Sequence, residues 1–139
     1  MPTNAERYAV DTSVAVAALD AGHAAHAACR KAVVARRPAL AGHAAFEVHA
    51  VLTRMPGTLR VDPPVATSLA ARVFPEICWL QPAAARSLFA RLGTLGVSGG
   101  AVYDALVGEA ARVNRRILLT RDRRAVRTYD LIGVTYELV

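Results

Sequence analysis

Cysteine is nearly absent from this chain. The two present, Cys29 in "HAACRKA" and Cys78 in "PEICWLQ", sit among apolar neighbours. No metal or redox spacing links them, so both read as buried free thiols. Lysine is scarcer still: Lys31 stands alone among 17 basic residues, and the rest are arginine. No apolar run reaches the roughly 18 residues that a membrane helix needs. The start, "MPTNAERY", lacks the basic and apolar regions of a secretory signal, so a soluble, cytoplasmic protein is expected. A glycine-rich loop followed by lysine is missing too, which excludes a P-loop.

What is there is globular in character. Of the 139 residues 54% are hydrophobic and 20% charged, outside the range of disordered chains. The length suits one domain over residues 1–139, with enough chain to bury a real core. The net charge of +6 favours polyanionic partners such as nucleic acid, and the planar fork of arginine suits phosphate. No internal repeat is visible.

Short apolar runs alternate with longer helical patterns. "RYAVD", "ALAG", "ICWL", "RILLT" and "VTYELV" read as strands. "TSVAVAALD", "GHAAHAACRKAVVARR", "HAAFEVHAVLTRM", "PPVATSLAARVF", "PAAARSLFARLGTLG", "AVYDALVGEAARVN" and "RRAVRTYDLIG" read as helices, several of them bounded by Pro or Gly. This alternation predicts an α/β sandwich around a mainly parallel sheet. Continuously apolar strands such as "ILL" fit a sheet buried on both faces.

Four of the 11 acidic residues stand where a carboxylate is awkward. Asp11 directly follows the first strand, and Asp122 follows "RILLT" after one residue. Ligands bind at the carboxyl ends of strands in open parallel sheets, so both should project from one sheet edge. Each could equally cap the helix after it. Glu47 shares a helical face with Ala44, Ala50 and Val51, and Asp104 with Ala101, Gly108 and Ala111. An ionised carboxylate on an apolar stripe costs several kcal/mol unless it is paired or metal-bound. Arg54 is a candidate partner for Glu47. Taken together, the four suggest one anionic pocket. Two carboxylates about 4 Å apart repel by roughly 4 kcal/mol at an effective dielectric near 20, so such a cluster needs a cation. Oxygen ligands select Mg²⁺ or Mn²⁺ over Zn²⁺. The hydroxyls of Thr12, Ser13 and Thr120 could hold a carboxylate in place or bind a metal-bound water.

The stretches "YAVDTSV", "HAAFEVHAVLTR", "SGGAVYDALVGEAA" and "ILLTRDRRAVRTY" together resemble the PIN-domain ribonucleases, and within them the VapC-type toxins of bacterial toxin–antitoxin pairs. They occur in the family's order along almost the whole chain. The resemblance implies a PIN-like three-layer α/β/α sandwich and an endoribonuclease using Mg²⁺ or Mn²⁺. It also implies a homodimer held inactive by a cognate VapB-like antitoxin. The family's acidic ligands fall on Asp11, Glu47, Asp104 and Asp122, and its hydroxyl positions on Ser13 and Thr120. Arg124 stands where many relatives carry a further acid, which bears on a second metal and not on the first.

On this reading Asp11, Asp104 and Asp122 hold the metal, and Glu47 positions a second ion or the attacking water. Arg121, Arg123 and Arg124 would grip RNA phosphates, the alternative being an ordinary solvated helix start. "PPVATSLAARVF" and the neighbouring apolar helix are candidates for a dimer interface. Rival readings are weaker. His23, His26 and Cys29 share a helix face, and His43 and Glu47 stand four residues apart, but neither set has a further well-placed ligand for zinc. A phosphoaspartate receiver lacks its paired acids and late lysine, and an Asp-x-Asp phosphatase would need an acid at Ser13. A housekeeping RNA-processing nuclease and a non-catalytic RNA-binding module remain as alternatives.

Overall fold

The computed structural model describes residues 5–139. Its frame is a parallel sheet of four strands: β1 (Tyr8–Val10), β2 (Ala39–Leu40), β3 (Ile117–Thr120) and β4 (Tyr136–Leu138), in the order β2-β1-β3-β4. Ala9 pairs with Ala39 on one side and Leu118 on the other, and Leu119 pairs with Glu137. Around it run α1 (Thr12–Leu19), α2 (His26–Arg36), α3 (Ala44–Thr53), α4 (Pro63–Val73), α5 (Pro82–Leu95), α6 (Ala101–Val113) and α7 (Val126–Ile132).

The strand order explains where a site can form. From β1 the chain moves outward to β2; from β3 it moves outward to β4 on the opposite side. Right-handed crossovers therefore place α1 and α2 on one face of the sheet and α7, with its packing partner α6, on the other. The strand order reverses between β1 and β3, and a crevice opens there at the strands' carboxyl ends.

The central strands are buried on both faces, as their unbroken apolar sequences require. Ala9, Val10, Leu118 and Leu119 are all essentially inaccessible. Val14, Leu40, Val48, Leu52, Phe74, Leu88 and Val107 join them in one core, each contributing about 1.5–3 kcal/mol by leaving water. Buried alanines of α1 and α3 let these two helices lie close. Gly42 makes the closest turn: its φ is +46°, and a Cβ there would meet the Ala110 Cβ at 3.0 Å and the Cys78 carbonyl at 3.3 Å. That glycine fixes the entry of α3 against α6.

Two sequence expectations are corrected. "ICWL" is not a strand; it forms a single parallel bridge, Leu40 to Ile77. The Leu40 N–H donates to the Glu76 carbonyl and the Cys78 N–H to the Leu40 carbonyl, after which the chain turns at Trp79. The second helix starts at His26 and not at Gly22, because the His23 ring accepts from the Ala25 N–H at 3.0 Å and closes a turn first. Both cysteines are buried and free. No helix among the described residues is long and apolar enough to cross a membrane.

Candidate active site

Asp11 ends β1 and caps α1, so the strand's register and the helix's first turn both fix it. Its N–H donates to the Leu119 carbonyl of β3, and its Oδ1 accepts from the Val14 N–H at 3.2 Å. The capping alternative is thus real, but it accounts for only part of one oxygen. The Ser13 hydroxyl also donates to Oδ1, at 2.6 Å. Oδ2 accepts from the Thr120 hydroxyl and from the Tyr129 hydroxyl at 2.9 Å. The carboxylate is 3% exposed, and among the described residues no ion pair reaches it. Burial pushes its pKa up, and the four donated hydrogen bonds oppose that rise without reversing it.

The hydroxyls that hold Asp11 are themselves held. Thr120 accepts the Asp122 N–H at 3.1 Å, and Ser13 accepts the Arg121 N–H at 2.9 Å. Two relays therefore run from the loop after β3, through a hydroxyl, to the acid after β1. Each bond polarises the next.

Asp11, Thr12, Ser13, Glu47, Asp104, Val107, Asp122 and Tyr129 line one cleft of about 210 Å³ at the reversal point of the sheet. All four acids singled out in the sequence therefore meet. Glu47 comes from α3 and Asp104 from the first turn of α6. The pKa of Asp104 is raised to about 6, first by burial and then by the charges of Asp122, Glu47 and Asp11. Asp122 closes a turn by accepting the Arg124 N–H at 3.0 Å. Among the described residues its only ion pair is a 3.5 Å contact with the almost fully exposed Arg124 side chain, worth little in water.

The apolar stripe expected around Glu47 is only partly buried: Ala44 is inside, Val51 half-buried and Ala50 exposed. Arg54 makes no ion pair with it among the described residues. Nor do the carboxylates close into a ready-made cage: among the described residues no three His, Cys, Asp or Glu side chains stand in metal-binding proximity. Mg²⁺ retains several waters and needs few direct ligands, so a ring of spaced carboxylates suits it. The donor set fits a hard divalent cation on a second ground. The Thr12 Oγ1 at the cleft wall is buried without a hydrogen-bond partner, which leaves an oxygen free for a coordinated water. Neither zinc alternative finds a third ligand among the described residues: the His26 Nδ1 is 2.9 Å from the Ala17 carbonyl, and Cys29 lies in the core.

Beside the cleft a shallower trough of about 450 Å³ continues past Thr12, Ser13 and Asp122 to His23, Arg121 and Arg124. The three arginines expected to face RNA divide here. Arg124 lines the trough, its exposed guanidinium 3.5 Å from Asp122. Arg121 also lines it, but its guanidinium donates to the Val139 carbonyl at 3.2 Å. Arg123 is exposed and lines neither the cleft nor the trough.

Sequence reasoning missed Tyr129. Its ring packs on α6 at Gly108, where a Cβ would meet it at 3.1 Å. Burial, then the charges and hydrogen bonding of Asp11, push its phenol pKa far up, so it stays a donor. The available signal was a tyrosine on the apolar face of "RTYDLI", since a buried tyrosine needs a partner for its hydroxyl.

A single-domain family model, the PIN domain, matches residues 8–131, and the chain belongs to that family. Ribonuclease VapC27 of Mycobacterium tuberculosis (strain ATCC 25618 / H37Rv) is 45% identical over 126 residues, covering 91% of this chain and 92% of the relative. Ribonuclease VapC40, from strains CDC 1551 / Oshkosh and ATCC 25618 / H37Rv of the same species, is 42% identical over 132 residues, covering 94% of this chain and 98% of the relative.

Proposed function

We propose that this chain is a VapC-type endoribonuclease, dependent on Mg²⁺ or Mn²⁺, and the toxin of a toxin–antitoxin pair. The observation that carries it is the meeting of four carboxylates in one cleft, where the ion pair formed among the described residues is a solvent-screened contact from Arg124 to Asp122. Asp11, Asp104 and Asp122 would hold the metal, directly or through water. Bound there, the ion supplies Lewis acidity at a phosphate oxygen and makes a water easier to deprotonate.

The chain's own residues do the rest. Ser13, Thr120 and Tyr129 lock the Asp11 carboxylate so that it costs no reorganisation when substrate arrives. Glu47, in the lining of the same cleft, orients the attacking water and accepts its proton at a carboxylate oxygen. Arg124, with Arg121 once released from the chain end, draws the phosphate backbone along the trough. Val107 and the Tyr129 ring keep the inner wall apolar.

The VapC names of the relatives support a VapB-like antitoxin as partner. A homodimer is supported by exposed apolar side chains, Val65 on α4 at 56% and Phe89 on α5 at 78%. The test is RNA cleavage with and without Mn²⁺, together with growth after pulsed expression. Wild-type protein should cleave only with the ion and arrest growth, and Asp11→Asn should do neither. Cleavage undiminished by a chelator would refute the metal-dependent reading.

A further inference from the structure

Four rings form a connected, largely exposed row beside the acidic cleft. Tyr103 of α6 stacks on His43, with centroids 5.3 Å apart and planes inclined by 16°. His43 neighbours Phe46 at 6.0 Å, and Phe46 neighbours Trp79 at 5.7 Å. Phe46 is 62% exposed, Tyr103 52% and Trp79 44%. The core does not account for rings left this accessible.

The row begins at the lip of the cleft. His43 lies one helical turn before Glu47, and Tyr103 one turn before Val107; both later residues line the cleft. A separation of four residues is a rise of about 6 Å on one helix face. In a chain with 17 basic residues, no arginine or lysine stands within this row. Backbone-gripping charge lies in the trough on one side of the acids, and flat apolar faces lie on another.

We propose that Tyr103, His43, Phe46 and Trp79 form a base-stacking platform that positions single-stranded RNA at the acidic cleft. This rests on the nuclease reading above and adds to it the residues that seat the substrate's bases, which an unpaired strand leaves free to lie on aromatic faces. Stacking tolerates any base, because every base has a π-face. Selection by the row is therefore for strandedness more than for sequence.

Trp79 is the chain's single tryptophan, so the row carries its own reporter. With a chelator present to prevent cleavage, wild-type protein is titrated with single-stranded oligo(U) of eight nucleotides while tryptophan fluorescence is followed. Saturable quenching is expected, with a duplex of the same length quenching far less. Phe46→Ala and Tyr103→Leu should weaken binding at least five-fold. In the Mn²⁺ assay they should raise KM at least five-fold more than they lower kcat. Tyr103→Phe, which keeps the ring, should behave as wild type.

An unquenched Trp79 overturns the proposal. So does a wild-type enzyme that cleaves RNA while the two variants match its KM, and the nuclease reading then stands alone. A mass that doubles without RNA, and no longer does in Phe46→Ala, assigns the row to a second copy and overturns it as well. Failure of wild-type protein to cleave any RNA with Mn²⁺ overturns the nuclease reading itself.

Discussion

Asp11 and Glu109 are both buried acids, 3% and 1% exposed, and the fold treats them in opposite ways. Glu109 sits on α6 between two guanidinium groups. Arg112 donates to its Oε1 at 2.5 Å, and Arg91 of α5 donates to its Oε2. Burial pushes its pKa up, but the hydrogen bonds and charges of Arg112 and Arg91 outweigh burial and hold it below the usual range. Asp11 is given four neutral donors and no cation, and its pKa goes up. A buried acid neutralised by its neighbours ties two helices together. One held in place but left unneutralised is what the metal-dependent reading proposed above requires.

That contrast breaks most sharply under single amide substitutions. Asp11→Asn should lower RNA cleavage at least about a hundred-fold, the scale for losing one preorganised electrostatic contact. Its fold should survive, because the Ser13, Thr120 and Tyr129 hydroxyls can rotate to serve an amide. Cleavage rate with circular dichroism as the fold check reads both. Glu109→Gln should do the reverse: stability falls by about 1.5–3 kcal/mol, the worth of hydrogen bonds to a charged group, while activity per folded molecule stays. Urea unfolding reads the loss. Tyr129→Phe removes one donor from Asp11 and should cost about 1–2 kcal/mol in the same measurement, with a smaller activity loss than Asp11→Asn.

The smallest effect is in pH. Glu109 has a folded pKa below its ordinary 4.5, so its contribution is present above that value and lost as pH falls through the folded pKa. Asp104 is shifted the other way, from 3.8 to about 6. Without a cation its charge costs stability above about pH 6, and that cost fades as pH falls toward 3.8. Metal-free protein should therefore gain stability between pH 6 and 4 before losing it in stronger acid. In Asp104→Asn the gain should shrink, the raised Asp11 supplying the remainder, and the variant should be more stable than wild type at pH 7. Thermal melts in chelator across this range check the sign.

Much of this was legible from the chain. The alternation of elements gave the parallel sheet, because buried strands leave unbroken apolar runs such as "ILL". Asp11 and Asp122 could be placed because strand ends bring residues to one edge. Glu47 and Asp104 stood out as charges amid alanine, although the surroundings of Glu47 are wetter than its spacing suggested. Tyr129 was hidden because its partner Asp11 lies 118 residues away; Glu109 has a local partner in Arg112, three residues on, but its second, Arg91, lies 18 residues away on another helix. "ICWL" had the composition of a strand but only one bridge, since pairing depends on a neighbour that continues alongside.

The most direct test of the central claim, that the acidic cleft is built for a divalent cation, is calorimetric titration with Mn²⁺ at pH 7. Wild-type protein should bind the ion and release protons. Asp11→Asn and Asp104→Asn should lose at least ten-fold in affinity, and Glu109→Gln should bind as wild type does. Wild-type protein that binds no Mn²⁺, or an Asp104→Asn variant that binds it equally well, would contradict the account.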